Sequence, residues 1–161
     1  MKRYILYIVV LLALLAVPVE GNDVGRLLPV EVISVYKEEG TVKIETDTGN
    51  MGAGEDFEAA YQNLRSNASA EIFLDTADYL ILYGDAQGQI EQLRVYLKPG
   101  IKVCTGVGAM DLVSAAEYLS IHTPDKRLKD VNRDSDLAIL TQTEAGFLYK
   151  IKKIKKLEKG Y

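Results

Sequence analysis

The stretch CTGVGAMD, from Cys104 to Asp111, sets glycines at a strand-to-helix junction. Backbone N–H groups cradle a pyrophosphate at that kind of junction in dinucleotide-binding folds. The third glycine of that fingerprint is missing, and Asp111 brings a carboxylate to the place where the phosphate would sit. A tight turn without a cofactor is the expectation. DVNRDSD sets side-chain oxygens at Asp130, Asn132, Asp134 and Asp136, the alternation of a calcium loop. Ser135 stands at the sixth position, where that loop needs glycine, and Thr141 at the twelfth, where it needs a bidentate glutamate. A solvated acidic turn is expected there, with no metal. His122 and Cys104 are the only histidine and the only cysteine, so a zinc site would depend mostly on carboxylates. His122 fits the end of a helix, where an imidazolium favours the negative terminus. Cys104 lies in the apolar run IKVCTGV and reads as a small buried hydrophobe. There is no GxSxG elbow for a hydrolase triad, and no Trp to form the sugar platform that often accompanies paired glycosidase carboxylates. Catalytic, cofactor-binding and metal residues are all expected to be none, and the chain is expected not to be an enzyme.

The elements around these residues follow from periodicity. VEVISVY, the turn-prone KEEG, and TVKIET with Val42 and Ile44 alternating against Lys43 and Glu45 predict a β-hairpin. Gly49, Gly52 and Gly54 then feed a helix whose Phe57, Ala60, Tyr61 and Leu64 share one face, with Glu55, Asp56 and Glu58 in its first turn. After a polar link around Ser66 to Ser69, DYLILYG is apolar at successive positions, as in a central strand covered on both faces. Asp85 and Gly88 open a second helix with Ile90, Leu93 and Leu97 on one side, stopped by Pro99 and Gly100. IKVCTGV follows as a strand, which makes a βαβ unit with parallel strands and a right-handed crossover. A third helix starts at Asp111, its cap, and carries Leu112, Ala115, Ala116 and Leu119 on one face up to Pro124. Asp125 to Asp136 reads as a charged surface loop. LAILTQT and FLYKI flank Glu144, Ala145 and Gly146 as a second hairpin. The fold class is α/β: one compact domain with a mixed sheet, a parallel βαβ unit and about three helices packed on the sheet, flanked by hairpins.

Lys2 and Arg3, the apolar run from Tyr4 to Val17, then Pro18 and Gly21 read as an export signal. The apolar run is about fifteen residues, short of the roughly twenty that span a bilayer, so cleavage after Gly21 is favoured over an uncleaved anchor. Residues 1–21 are read as the signal peptide, 22–149 as the α/β domain and 150–161 as a lysine-rich tail. The chain is therefore expected to act outside the cytoplasm, membrane-associated or secreted. A single cysteine allows no internal disulfide, so stability must come from an ordinary core. The residues from Asn22 to Tyr149 contain 11 basic and 21 acidic side chains, a balance of minus ten, which repels nucleic acid. Six lysines with one acid, Glu158, follow between Lys150 and Lys159. The tail's Leu148, Ile151, Ile154 and Leu157 recur at intervals of three and fit an amphipathic basic helix in weak contact with anionic lipid. The competing reading, which is preferred, is a last strand with Phe147, Tyr149 and Ile151 alternating, followed by a solvated lysine end.

The order of these features resembles the N-terminal domain of the Ger(x)C family, the lipoprotein C subunits of bacterial spore germinant receptors. The likeness runs from about Leu27 to Thr123. It comprises the strand hairpin, the glycine-rich stretch, a helix with the pair Glu58 and Ala59, a buried strand ending in Gly84 and Asp85, and an amphipathic helix. A break with Pro99, Ile101 and Lys102, a strand and a small-residue helix complete it. The chain reads VYLKPGIK where the family has a sequence close to LLRDPEIR, has no lipobox cysteine, and ends where the family continues into further domains. The resemblance implies a non-enzymatic extracytoplasmic subunit that docks onto a membrane or envelope protein. The alternative expectation is a soluble extracytoplasmic ligand-binding or sensory module, which needs a preformed pocket.

Overall fold

A computed structural model describes residues 27–150. The expected signal peptide, residues 1–21, and the tail beyond Lys150 lie outside these residues. The first hairpin forms as expected, with β2 (Val32–Glu38) and β3 (Thr41–Thr46) antiparallel. Glu39 and Gly40 between them have φ of 48° and 81°. Positive φ at both central residues lets a two-residue turn follow the twist of its strands. Val42 and Ile44 are buried, while Lys43 is exposed and Glu45 half-buried on the opposite face.

The glycine-rich stretch differs from expectation. Residues 51–54 form a strand, β4 (Met51–Gly54), at the edge of the sheet against β3. Helix α1 (Phe57–Asn67) lies directly on it. A Cβ on Gly52 would stand 2.3 Å from the Ala60 carbonyl oxygen, and one on Gly54 2.4 Å from the Ala60 nitrogen. Glycine admits the helix backbone here, and its lack of side chains conceals the strand's period of two. The helix begins where the Asp56 carboxylate accepts the Ala59 N–H at 2.8 Å, and it buries Phe57, Ala60 and Leu64. A small parallel pair, β1 (Leu27–Pro29) with β5 (Glu71–Phe73), lies outside the main sheet and has no counterpart in the sequence reading.

Strand β6 (Tyr79–Gly84) runs between β2 and β7 (Lys102–Val107), parallel to both, with Tyr79 to Tyr83 all buried. A 3-10 turn, Asp85–Gln89, precedes α2 (Ile90–Tyr96), which turns Ile90 and Leu93 inward. Helix α3 (Leu112–Ile121) follows β7, and β8 (Ile139–Thr143) and β9 (Gly146–Lys150) form the expected second hairpin. The seven-stranded order is β4-β3-β2-β6-β7-β8-β9. Strands β2, β6, β7 and β8 are parallel, and β3, β4 and β9 are antiparallel to their neighbours.

The sheet is covered on both sides. Helices α1 and α2 pack over Ile33, Val35, Leu80, Leu82 and Val103, while α3 packs over Val32, Ile81, Cys104 and Leu140. Burying each such side chain contributes roughly 1.5–3 kcal/mol. The segment Asp125–Asp136 is more than the expected surface loop. It crosses to the α1–α2 side and buries Leu128 and Val131 in that core. Its backbone is fastened there by Leu128 N–H to Ile101 O at 2.9 Å, Val103 N–H to Lys126 O at 3.0 Å, and Arg94 Nη2 to Val131 O at 2.6 Å. Two apolar residues among many charges give no periodic signal, so the crossing was not legible.

Candidate interaction surfaces

The helices do not cover the two faces symmetrically. On the α3 side, the packed cluster holds residues of β2, β6, β7 and β8, and no described helix lies over β3 and β4. An open groove of about 590 Å³ runs there, lined by Tyr36, Lys43, Glu45, Met51 and Ala53. The strand register pairs Tyr36 with Lys43 and Lys43 with Ala53, and in the adjacent row Ser34 with Glu45 and Glu45 with Met51. Met51 is 62% exposed. Tyr36 is held from behind by Tyr83, the rings stacked at 4.1 Å and 9°. Tyr83 in turn fits over β7 because Gly106 has no side chain: a Cβ there would stand 2.3 Å from the Tyr83 Cζ. Its buried hydroxyl has no hydrogen-bond partner among the described residues, and burial, then the neighbouring Tyr36, pushes the phenol above its ordinary range.

At the opposite end of the sheet, no described helix packs on the α1–α2 side of β8 and β9. Val107, Thr141 and Leu148 lie side by side across β7, β8 and β9, with Thr105, Ile139 and Lys150 in the next row. Val107 is 50% and Leu148 62% exposed. Lys150, on this face, is the first of the six tail lysines.

A third feature lies at the carboxyl ends of the strands. Adjacent parallel strands β6 and β7 lead to helices on opposite faces, the arrangement that opens a crevice in α/β sheets. A cavity of about 410 Å³ lies at this end of the sheet but beside β2 and β6, away from that crevice, lined by Lys37, Gly84, Asp85, Gln87 and Arg133. Gln87 Nε2 donates to Asn132 O at 3.0 Å and Ser135 O at 2.7 Å, which fixes the loop that carries Arg133.

The residues singled out from sequence are dispersed. Asp111 caps α3, as expected: its carboxylate accepts from the Val113 N–H at 3.3 Å, the Ser114 N–H at 3.2 Å and the Ser114 hydroxyl. The Ser114 bonds hold its carboxyl below the usual range, and its own anion occupies the helix start that a phosphate would need. Cys104 is buried under α3, and burial pushes its thiol up to about 12, so it is not a thiolate at neutral pH. His122 is the C-cap of α3, with its ring 4.4 Å from that of Tyr118. In the acidic turn, the Asn132 amide oxygen is already engaged by the Asp134 N–H and the Ser135 hydroxyl. Among the described residues no three His, Cys, Asp or Glu side chains gather as a metal site. No described helix is long and apolar enough to cross a membrane.

The sequence reading missed both bare faces as surfaces, although the alternation of Lys43 and Glu45 against Val42 and Ile44 already marks one side of β3 as facing outward. Lys37, Gln87 and Arg133 meet from three distant segments, and no local pattern announces that. No protein-family model, curated protein or solved structure matches this chain.

Proposed function

We propose that the chain is a non-enzymatic extracytoplasmic interaction subunit, similar to the first domain of spore germinant-receptor C subunits, which docks onto a membrane or envelope protein. The observation that carries this reading is the bare face of β7, β8 and β9. Leu148 and Val107 stand exposed on it, and the chain leaves it at Lys150 into a run of lysines. An apolar patch beside concentrated positive charge complements a partner that presents acidic side chains around an apolar contact. The tail adds a weak contact with anionic lipid. In a sedimentation assay, the full chain is expected to pellet with envelope membranes, and Leu148→Asp is expected to reduce the pelleted fraction at least tenfold. Equal pelleting with protein-free anionic vesicles would make lipid the partner and overturn the reading.

One observation favours the second reading, a soluble ligand-binding or sensory module. The crevice at Lys37, Asp85 and Arg133 is polar, braced by Gln87 and open at the carboxyl ends of β2 and β6.

A further inference from the structure

We propose that the outer edge of β9 pairs, antiparallel, with β9 of a second copy of this chain, so that the two seven-stranded sheets join as one. Strand β9 ends the sheet, and among the described residues only β8 pairs with it. Which of its backbone groups are free follows from the neighbouring strands. The Thr105 N–H donates to Ala138 O at 2.8 Å, which turns the backbone of Ala138 and, two residues on, Leu140 toward β7. Ile139, Thr141 and Thr143 therefore face β9 and bond to Lys150, Leu148 and Gly146. The N–H and C=O groups of Phe147 and Tyr149 point off the edge. The other end of the sheet is less open, because the outward Ala53 N–H of β4 is already taken by Asn63 Oδ1 at 3.2 Å.

A second copy is the occupant this edge fits, because β9 is complementary to itself. A two-fold axis perpendicular to the sheet at Leu148 sets residues 146–150 against residues 150–146 of the second copy. Phe147 then faces Tyr149 of the other strand, and their outward groups exchange four hydrogen bonds across the axis. Shifting the register by two residues would send Tyr149 to Ala145, in the turn, or Phe147 past Lys150. Leu148, 62% exposed in the monomer, meets its own copy on the axis. Lys150 falls opposite Gly146, which has no side chain, one diagonal step from the exposed Glu144 of the second copy. The two Lys150 residues stand four residues of strand rise apart, about 13 Å, beyond the roughly 8 Å over which charges are screened at physiological salt. No described helix obstructs the approach. Helices α1 and α2 pack over β2, β3, β6 and β7, and α3 over β2, β6, β7 and β8, touching β9 through the Tyr118 ring 5.2 Å from that of Phe147. The helix bodies of the two copies are thus at least three strand spacings apart, about 14 Å, against a helix diameter of about 10 Å. The pairing uses the edge of the sheet, not its β7–β9 face, and stands whether or not a partner docks on that face. One strand pair is a small contact, so the dissociation constant is expected to be on the order of micromolar or weaker.

Sedimentation equilibrium of the full chain over a concentration series is expected to show monomer passing to dimer. Tyr149→Pro removes an outward N–H from each copy, leaves the β8–β9 bonds in place, and should weaken the dimer at least about thirtyfold. Tyr149→Val keeps that N–H and should stay within about fivefold of the wild type. Circular dichroism melts that match the wild type show that both variants fold. Leu148→Cys checks the register independently under a mild oxidant. Two such thiols face each other across the axis and should join the copies covalently, whereas Lys150→Cys, about 13 Å from its counterpart, should not. Cys104 is buried and does not compete. A monomer at every concentration would overturn the proposal. So would a dimer indifferent to Tyr149→Pro, or a disulfide that forms at position 150 and not at 148.

Discussion

Gly52→Ala is expected to lower the free energy of unfolding by about 3 kcal/mol, the upper part of the range for overpacking in a closed space. The new methyl would stand 2.3 Å from the Ala60 carbonyl oxygen and 2.5 Å from the Leu64 nitrogen. Both are backbone atoms of α1, so no side-chain rotation relieves the contact. The helix must lift from β4, which separates Phe57 and Leu64 from the core they fill. Gly100→Ala is the matched control. It has nothing within 4 Å of its would-be Cβ and no positive φ. Losing unfolded-chain freedom there should leave stability unchanged or raise it by about 0.5 kcal/mol. Urea denaturation of the two variants decides the matter, and equal midpoints would contradict the close packing of α1 on β4.

Phe57→Ala is expected to cost about 3–5 kcal/mol, as for other fully buried aromatic side chains reduced to alanine. Phe57 has no exposed surface and is the first residue of α1, directly after its cap. Its ring joins two elements, with centroids 5.3 Å from Tyr96 of α2 and 6.3 Å from Tyr61 of α1. Removing it opens a cavity at the junction of the two helices that cover one face of the sheet. Phe73, 39% exposed on β5, provides the contrast, and Phe73→Ala should cost no more than about 1 kcal/mol. If the domain's whole stability is of ordinary size, 5–15 kcal/mol, the Phe57 variant will be marginal at room temperature. A thermal melt in which the two variants behave alike would contradict the assignment of Phe57 to the core.

Most of the α/β architecture was legible because its signals are local. Val42 and Ile44 alternate with charged residues, the YLILY of DYLILYG is apolar without interruption, and Asp111 precedes a helical run as an N-cap does, whereas Asp56, read as a first-turn residue, is the cap of α1. What escaped was structure whose cause lies elsewhere in the chain. Gly52 and Gly54 form a strand because α1 needs their emptiness, and nothing between residues 49 and 54 states that. Leu128 and Val131 are buried because the connection from α3 to β8 crosses to the other side of the sheet, a tertiary fact. The bare faces result from an offset between layers: α1 and α2 serve one end of the sheet and α3 the other. Such an offset depends on how the layers register, which no single element's periodicity encodes.

The same offset underlies the functional account. A sheet covered on both faces along its whole width would offer partners only helix surfaces and loops. Here Val107 and Leu148 stay exposed beside the first tail lysine, which is where the proposed partner would sit. Leu148 is the side chain on which that account turns. Its strand is also the last one in the sheet, so a partner seated there would shield the backbone of β8 and β9 from solvent.

Amide hydrogen exchange of the full chain, with and without envelope membranes, tests this most directly. The account predicts that membranes slow exchange across Ile139–Lys150 and leave the crevice at Gly84–Gly88 unchanged, and that the slowing disappears in Leu148→Asp. Slowing confined to Gly84–Gly88, or none at all in β8 and β9, would contradict it.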